Sequence, residues 1–196
     1  MKSVNSYPMS GVCFAVAIAA AAGGAGCIDD RESGDLLAER QAASAVTLDP
    51  SANYELVGVQ SGKCVGAVGA SKDPSTPLEI RTCSGNASQR FHPTAVGGGL
   101  FQLTSELSGL CVDVSHRSQA DGAPVILFPC SGATNQLWSF TDLAAGAERL
   151  TARHSGKVLD VTGAVSADGT LVEQWSSNGG ANQQFRLLEA VAPFAP

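Results

Sequence analysis

Asn135-Gln136-Leu137-Trp138 lies midway between Ser88-Gln89-Arg90-Phe91 and Asn182-Gln183-Gln184-Phe185, and Gln89, Gln136 and Gln183 follow one another at intervals of 47 residues. Other positions keep the same ruler without a gap. Ser61-Gly62 recurs as Ser108-Gly109 and Ser155-Gly156, Gly85 as Gly132 and Gly179, and Leu56 as Leu103 and Leu150. A period of this size marks stacked supersecondary units. Each unit is too small to bury an apolar face alone, so the three must share one interior.

Within a unit the hydrophobic period is two. Leu110-Cys111-Val112-Asp113-Val114 and Val158-Leu159-Asp160-Val161 set single polar residues among apolar ones, while Val125 to Phe128 and Leu171 to Trp175 are rich in β-favouring types. Ala120-Asp121-Gly122 and Ala167-Asp168-Gly169 supply turns between strands. Gly is frequent, at 22 residues, and no capped amphipathic helix follows the N-terminal region. Residues 53–190 are therefore expected to form one all-β domain of three 47-residue repeats with pseudo-threefold symmetry, and 191–196 a disordered tail.

Ahead of the repeats, Lys2 gives a positive start and Gly11 to Gly26 is wholly apolar or small, a run too short to cross a bilayer comfortably. Residues 1–26 read as an export signal. The run ends in Gly24-Ala25-Gly26-Cys27, which resembles the lipobox of bacterial lipoproteins, with Gly24 where that pattern usually has Leu. The resemblance implies lipidation of Cys27 and a membrane partner at the cell envelope; ordinary cleavage and free secretion is the alternative. Residues 27–52 are charged, then Ala/Ser-rich, the composition of a solvated linker. With 12 Lys+Arg against 18 Asp+Glu, the chain is a poor match for nucleic acid.

Three units each ending in Gln-x-(Trp/Phe) resemble the ricin B-type lectins, equivalently the family 13 carbohydrate-binding modules, over roughly Ala52 to Glu189. The resemblance implies a β-trefoil, six hairpins forming a short barrel and a cap. It also implies that Gln89, Gln136, Gln183, Phe91, Trp138 and Phe185 serve the fold and that the ligand is a glycan, for instance one containing galactose or xylose.

The cysteines obey the repeat. Cys64 and Cys83 are 19 residues apart, Cys111 and Cys130 likewise, and the third unit has Val158 and Ser177 in those places. Loss of both partners together is what a disulfide inside each unit predicts, so Cys64–Cys83 and Cys111–Cys130 are expected. Four zinc thiolates are the alternative, but the close spacing such sites use is missing. No metal or other cofactor is expected.

A sugar presents vicinal hydroxyls and one face of C–H groups. A carboxylate, an amide and an aromatic plane together match it. In the ricin-type pattern these are the Asp of the Cys-x-Asp strand, a polar residue two before an aromatic, that aromatic, and the Asn before the last Gln. The third unit carries Asp160, Glu173, Trp175 and Asn182. The second carries Asp113, Phe128 and Asn135, with Ile126 in the polar place. The first has Gly66, Arg81 and Ser88 and is expected to be silent. A lone Asp in a strand–turn unit more often binds nearby backbone, and Ile126 and Leu127 argue for burial of their strand. His92, His116 and His154 lie in different units, and no nucleophile-elbow, zincin or P-loop string occurs, so catalysis is not expected. A protein-binding trefoil, an inhibitor or an adhesin, is the rival function.

Overall fold

The computed structural model describes residues 48–190. The export segment with Cys27, most of the linker and the tail 191–196 lie outside the described residues.

Among the described residues, twelve strands follow the repeat, four to a unit. The first unit holds β1 (Tyr54–Gly58), β2 (Cys64–Ala67), β3 (Thr76–Arg81) and β4 (Arg90–Gly97). The second holds β5 (Leu100–Ser105), β6 (Cys111–Val114), β7 (Ala123–Phe128) and β8 (Leu137–Asp142). The third holds β9 (Glu148–Ala152), β10 (Val158–Val161), β11 (Thr170–Trp175) and β12 (Phe185–Glu189).

Six of these strands close a barrel. β1 pairs with β4, β4 with β5, β5 with β8, β8 with β9, β9 with β12, and β12 returns to β1. The other six form the hairpins β2–β3, β6–β7 and β10–β11, whose second strands pair in a triangle, β3 with β7, β7 with β11 and β11 with β3. Every pairing is antiparallel. A barrel capped by three hairpins is the β-trefoil, and closure leaves few strand edges to attract other chains.

The core is built by the repeat. Leu56, Leu103 and Leu150 meet Phe91, Trp138 and Phe185 in the interior, all of them buried. Period two then sorts each cap hairpin. Val112, Val114, Val125 and Leu127 face inward in the second unit, so Asp113, Ile126 and Phe128 share the outer face. Leu159, Val161 and Val172 face inward in the third, leaving Asp160, Glu173 and Trp175 outside.

Each expected disulfide is present. Cys64–Cys83 and Cys111–Cys130 join Cα atoms 5.0 and 5.1 Å apart, and each ties a cap strand to the segment leading into its Gln motif. Val158, in the third unit, simply fills the buried place.

One inward position breaks the apolar pattern. Ile80 and Leu127 occupy it in the first two units, but the third has Gln174, fully buried. Its Nε2 donates to Ser118 O at 2.7 Å and Ala120 O at 2.9 Å, and its Oε1 accepts from Ser155 Oγ at 2.8 Å. A satisfied buried amide of this kind fixes what it touches. Here it fixes the loop 118–122 of the second unit against the third.

Candidate functional site

Each cap hairpin carries an outward cleft of the same plan, with a different filling. In the third, Asp160 lies opposite Glu173 and Val158 opposite Trp175 in the β10–β11 register, which puts both carboxylates and the indole on one surface. A 3-10 turn, Ala181–Gln183, brings Asn182 to the same place. Asn182 Nδ2 and Gln183 Nε2 donate to Asp160 Oδ2 at 2.9 and 2.8 Å. That leaves Asp160 Oδ1 and the Asn182 carbonyl oxygen as acceptors beside Trp175, which is 41% exposed. The cleft measures about 280 Å³ and is lined by Asp160, Glu173, Trp175, Asn178 and Asn182.

Burial pushes the Asp160 carboxyl above the ordinary aspartate range, against the pull of its Gln183 and Asn182 hydrogen bonds, and the nearby Asp121 charge pushes the same way. Glu173 is raised first by burial and then by Asp160 and Asp121, with a hydrogen bond from Thr162 acting against them. Negative charge is concentrated here.

The second cleft repeats the frame. Asn135 Nδ2 and Gln136 Nε2 donate to Asp113 Oδ2 at 2.9 and 2.8 Å, and Asn135 Nδ2 also reaches Val114 O at 3.1 Å. Asn135 is buried, yet its Oδ1 has no partner. Burial raises the Asp113 carboxyl too, but Arg117 and His154 pull it back alongside the Gln136 and Asn135 hydrogen bonds. At about 440 Å³ this cleft is the larger of the two, walled by Pro77, Pro124, Ile126 and Phe128 and rimmed by His116 and Arg117. Ile126 and Leu127 are both buried as their strand suggested, but alternation sends Phe128 outward to 42% exposure and leaves Ile126 lining the cleft.

The first unit lacks this grip for a steric reason. A Cβ on Gly66 would stand 2.8 Å from Gln89 Cγ and 3.0 Å from Ser88 O, so the motif segment has closed over the place an aspartate would need. Gln89 Nε2 keeps its bond to Thr82 O at 3.1 Å, as Gln136 does to Pro129 O and Gln183 to Ser176 O, but has no aspartate to hold. Arg81, at the aromatic position, pairs through Nε with Glu79 Oε1 at 2.9 Å.

Further contributions were not legible in the sequence. Gln136 and Gln183 hold the fold, as the resemblance implied, but they also hold the site aspartates. The Asp121 turn is more than a turn: Asp121 Oδ1 accepts from Lys157 Nζ at 2.6 Å and from Ser176 N at 2.7 Å, clasping the next unit. Gly122 then lies over the third cleft, where a Cβ would stand 3.6 Å from the Trp175 ring and 3.7 Å from Glu173 Oε2. Asp168 repeats the clasp with Lys63 and Thr82. The recurrence of Lys63 with Asp168 and of Lys157 with Asp121 on the repeat ruler was the available signal.

A closed six-stranded barrel with three capping hairpins, carrying acid–amide–aromatic clefts on the cap, defines a lectin-type β-trefoil. The model of the ricin-type β-trefoil lectin domain matches residues 52–185, and the chain belongs to that family. It is similar to a designed three-fold symmetric protein, ThreeFoil, at 40% identity and a TM-score of 0.69, over 69% of this chain and 97% of that one. It is also similar to part of an exo-β-1,3-galactanase from Clostridium thermocellum, at 34% identity and a TM-score of 0.70, over 73% of this chain but only 31% of the galactanase. The Rhizoctonia solani agglutinin, 19% identical with a TM-score of 0.63 over 74% of this chain and 98% of that one, shares the fold. No curated protein matches in a sequence comparison.

Proposed function

We propose that this chain is a non-catalytic glycan-binding protein whose third cap cleft, Asp160, Glu173, Trp175 and Asn182, grips one sugar, and whose second, Asp113, Phe128 and Asn135, grips another. The carrying observation is the convergence of a carboxylate held by two amides with a half-exposed indole. Two acceptors beside an aromatic plane match a vicinal diol with an adjacent C–H face. Asp160 and Glu173 stand side by side on paired strands. A glycosidase pair instead flanks the scissile bond from two sides, whereas both of these carboxylates stand on one face of one hairpin, which favours binding over hydrolysis. Galactose-containing glycans come first for testing because a 34%-identical module belongs to a galactanase; xylose oligomers come second.

Shallow single-sugar sites of this kind commonly reach about millimolar affinity, roughly 4 kcal/mol. A lipid on Cys27 would array many copies at the cell envelope and raise avidity with no new contact, and the small residues before Cys27 support that tether. Calorimetry or a glycan array with galactosides and xylo-oligomers tests binding. No ligand at either cleft, with a protein partner captured instead, would replace the lectin with a protein-binding trefoil. Globomycin-sensitive processing and fatty-acid labelling test the anchor, and free protein in the medium would make the chain a secreted lectin.

A further inference from the structure

The second and third clefts share a frame but differ in charge. The third gathers Asp160 and Glu173, with Asp121 close enough to act on both. In the second, Ile126 stands where Glu173 stands, which removes one carboxylate, and Arg117 lines the cleft near enough to Asp113 to stabilise its charge. Arg117 forms no ion pair among the described residues, which leaves its guanidinium available at the cleft.

The backbone marks the same spot. The turn after each first cap strand carries two successive residues in the left-handed region. They are Gly69-Ala70 and Gly163-Ala164 in the first and third units, and His116-Arg117, at φ of 55° and 53°, in the second. Glycine adopts such angles without penalty; a histidine there costs about 1 kcal/mol. Ser115 Oγ holds His116 Nδ1 at 2.7 Å, which orients the ring on the cleft rim.

We infer that the second cleft takes a glycan residue bearing a carboxylate, a uronic or other sugar acid, while the third takes a neutral sugar. This rests on the glycan-binding reading above. The Asp113 carboxylate and the Asn135 amide that holds it line the cleft, and Asp113 Oδ1, free of both amide donors, suits a ligand that donates hydroxyl protons. Arg117 beside them requires one that also brings negative charge, because a guanidinium recognises a carboxylate by charge-assisted hydrogen bonds. A sugar acid offers both on one ring. Placed in the third cleft, the same ligand would meet two carboxylates.

The test is nuclear magnetic resonance titration of the full chain with matched pairs, methyl galactoside against methyl galacturonoside and methyl glucoside against methyl glucuronoside. The Asn135 side-chain amide reports the second cleft and the Trp175 indole N–H the third. In at least one pair the acidic glycoside is expected to bind the second cleft about 3–10-fold more tightly than its neutral partner, and the third cleft to show the reverse order. Arg117→Ala, which restores the residue the other two units carry in this turn, should abolish the preference while the neutral glycoside still binds. Equal affinities at the second cleft, or a preference that survives Arg117→Ala, would overturn the inference and leave the glycan reading standing. Silence of both reporters toward every glycoside would defeat both.

Discussion

Asp160 allows binding and stability to be separated in one residue. It is 4% exposed, and its Oδ2 accepts from Asn182 and Gln183, so it buttresses the turn, while the proposed function gives its Oδ1 to the ligand. In Asp160→Asn the new carbonyl can take over the two amide donors, and the amide group then occupies the place of Oδ1. The variant also relieves the burial of a charge, the main cause of the raised Asp160 value. Stability should stay within about 1 kcal/mol of wild type, roughly 3 °C in Tm. Binding should not survive. A hydrogen bond to a charged acceptor contributes about 1.5–3 kcal/mol, and the substituted amide confronts a ligand hydroxyl with a donor, so Kd at the third cleft should rise roughly 10–100-fold. Asp160→Ala is the contrast. It leaves Gln183 Nε2 and Asn182 Nδ2 with only Ser176 O and Val161 O, and should cost about 1–3 kcal/mol besides abolishing binding. Calorimetric titration with a galactoside and thermal melts of both variants decide the matter. Wild-type affinity in Asp160→Asn, or equal destabilisation by the two changes, would refute the assigned division of labour.

Gln174→Leu should leave the fold intact, because Ile80 and Leu127 fill the equivalent places, while speeding amide exchange across 118–122 and weakening the third cleft about 3–10-fold with the second unchanged; an unaltered exchange rate would contradict the anchoring role. Acid should remove binding before it removes the fold. The Asp113 and Asp160 values are raised by burial, so their protonation favours the folded state, a contribution complete below the unfolded value and lost as pH rises through the folded one. The lowered values of Asp121 and Asp168, held by Lys157 and Lys63, work oppositely: their stabilisation is present above the unfolded value and lost only as pH falls through the folded one. Paired affinity and melting measurements from about pH 7 to pH 3 should therefore show Kd rising first. Cys111→Val with Cys130→Ser, the pair the third unit carries, should lower stability by about 2–3 kcal/mol in urea while preserving the native spectrum; a loss well under 1 kcal/mol would show that the cross-link constrains little.

The fold was legible because symmetry triples every signal: an isolated Gln-x-aromatic string means little, but three on one ruler fix the unit, the core ring and the disulfide partners. The third-cleft residues were legible for the same reason, since alternation puts Asp160, Glu173 and Trp175 on one face once the hairpin register is assumed. Depth was not. Cleft volume depends on how the neighbouring loop lies, and nothing local to Asp113 or Phe128 says that Pro77 walls their cleft. Gln174 was invisible for a related reason: its partners, Ser118 O and Ala120 O, are backbone atoms more than 50 residues away. Arg117 went unweighed because its importance is the charge it adds beside Asp113, a property of the assembled cleft.

Divergence among the three units comes in linked sets, and this shows where specificity can change. Lys63, Thr82 and Asp168 form one junction clasp, and Lys157, Ser176 and Asp121 another. At the third junction all three polar places are apolar at once, Leu110, Pro129 and Pro74, with Leu110 packed on the core. A lone Lys or Asp kept there would have faced no partner, so the set changes together. The junctions also border the clefts in rotation: the Gly169 loop of the third unit lies against Glu79 of the first, Ser75 and Pro77 of the first line the second, and Gly122 of the second lies against Trp175 of the third. Each site is thus floored by its own hairpin and walled by the preceding unit. Substitutions in a wall can reshape a neighbour's cleft without touching its acid–amide pair, and this lets one rigid threefold frame carry clefts of unlike size and charge.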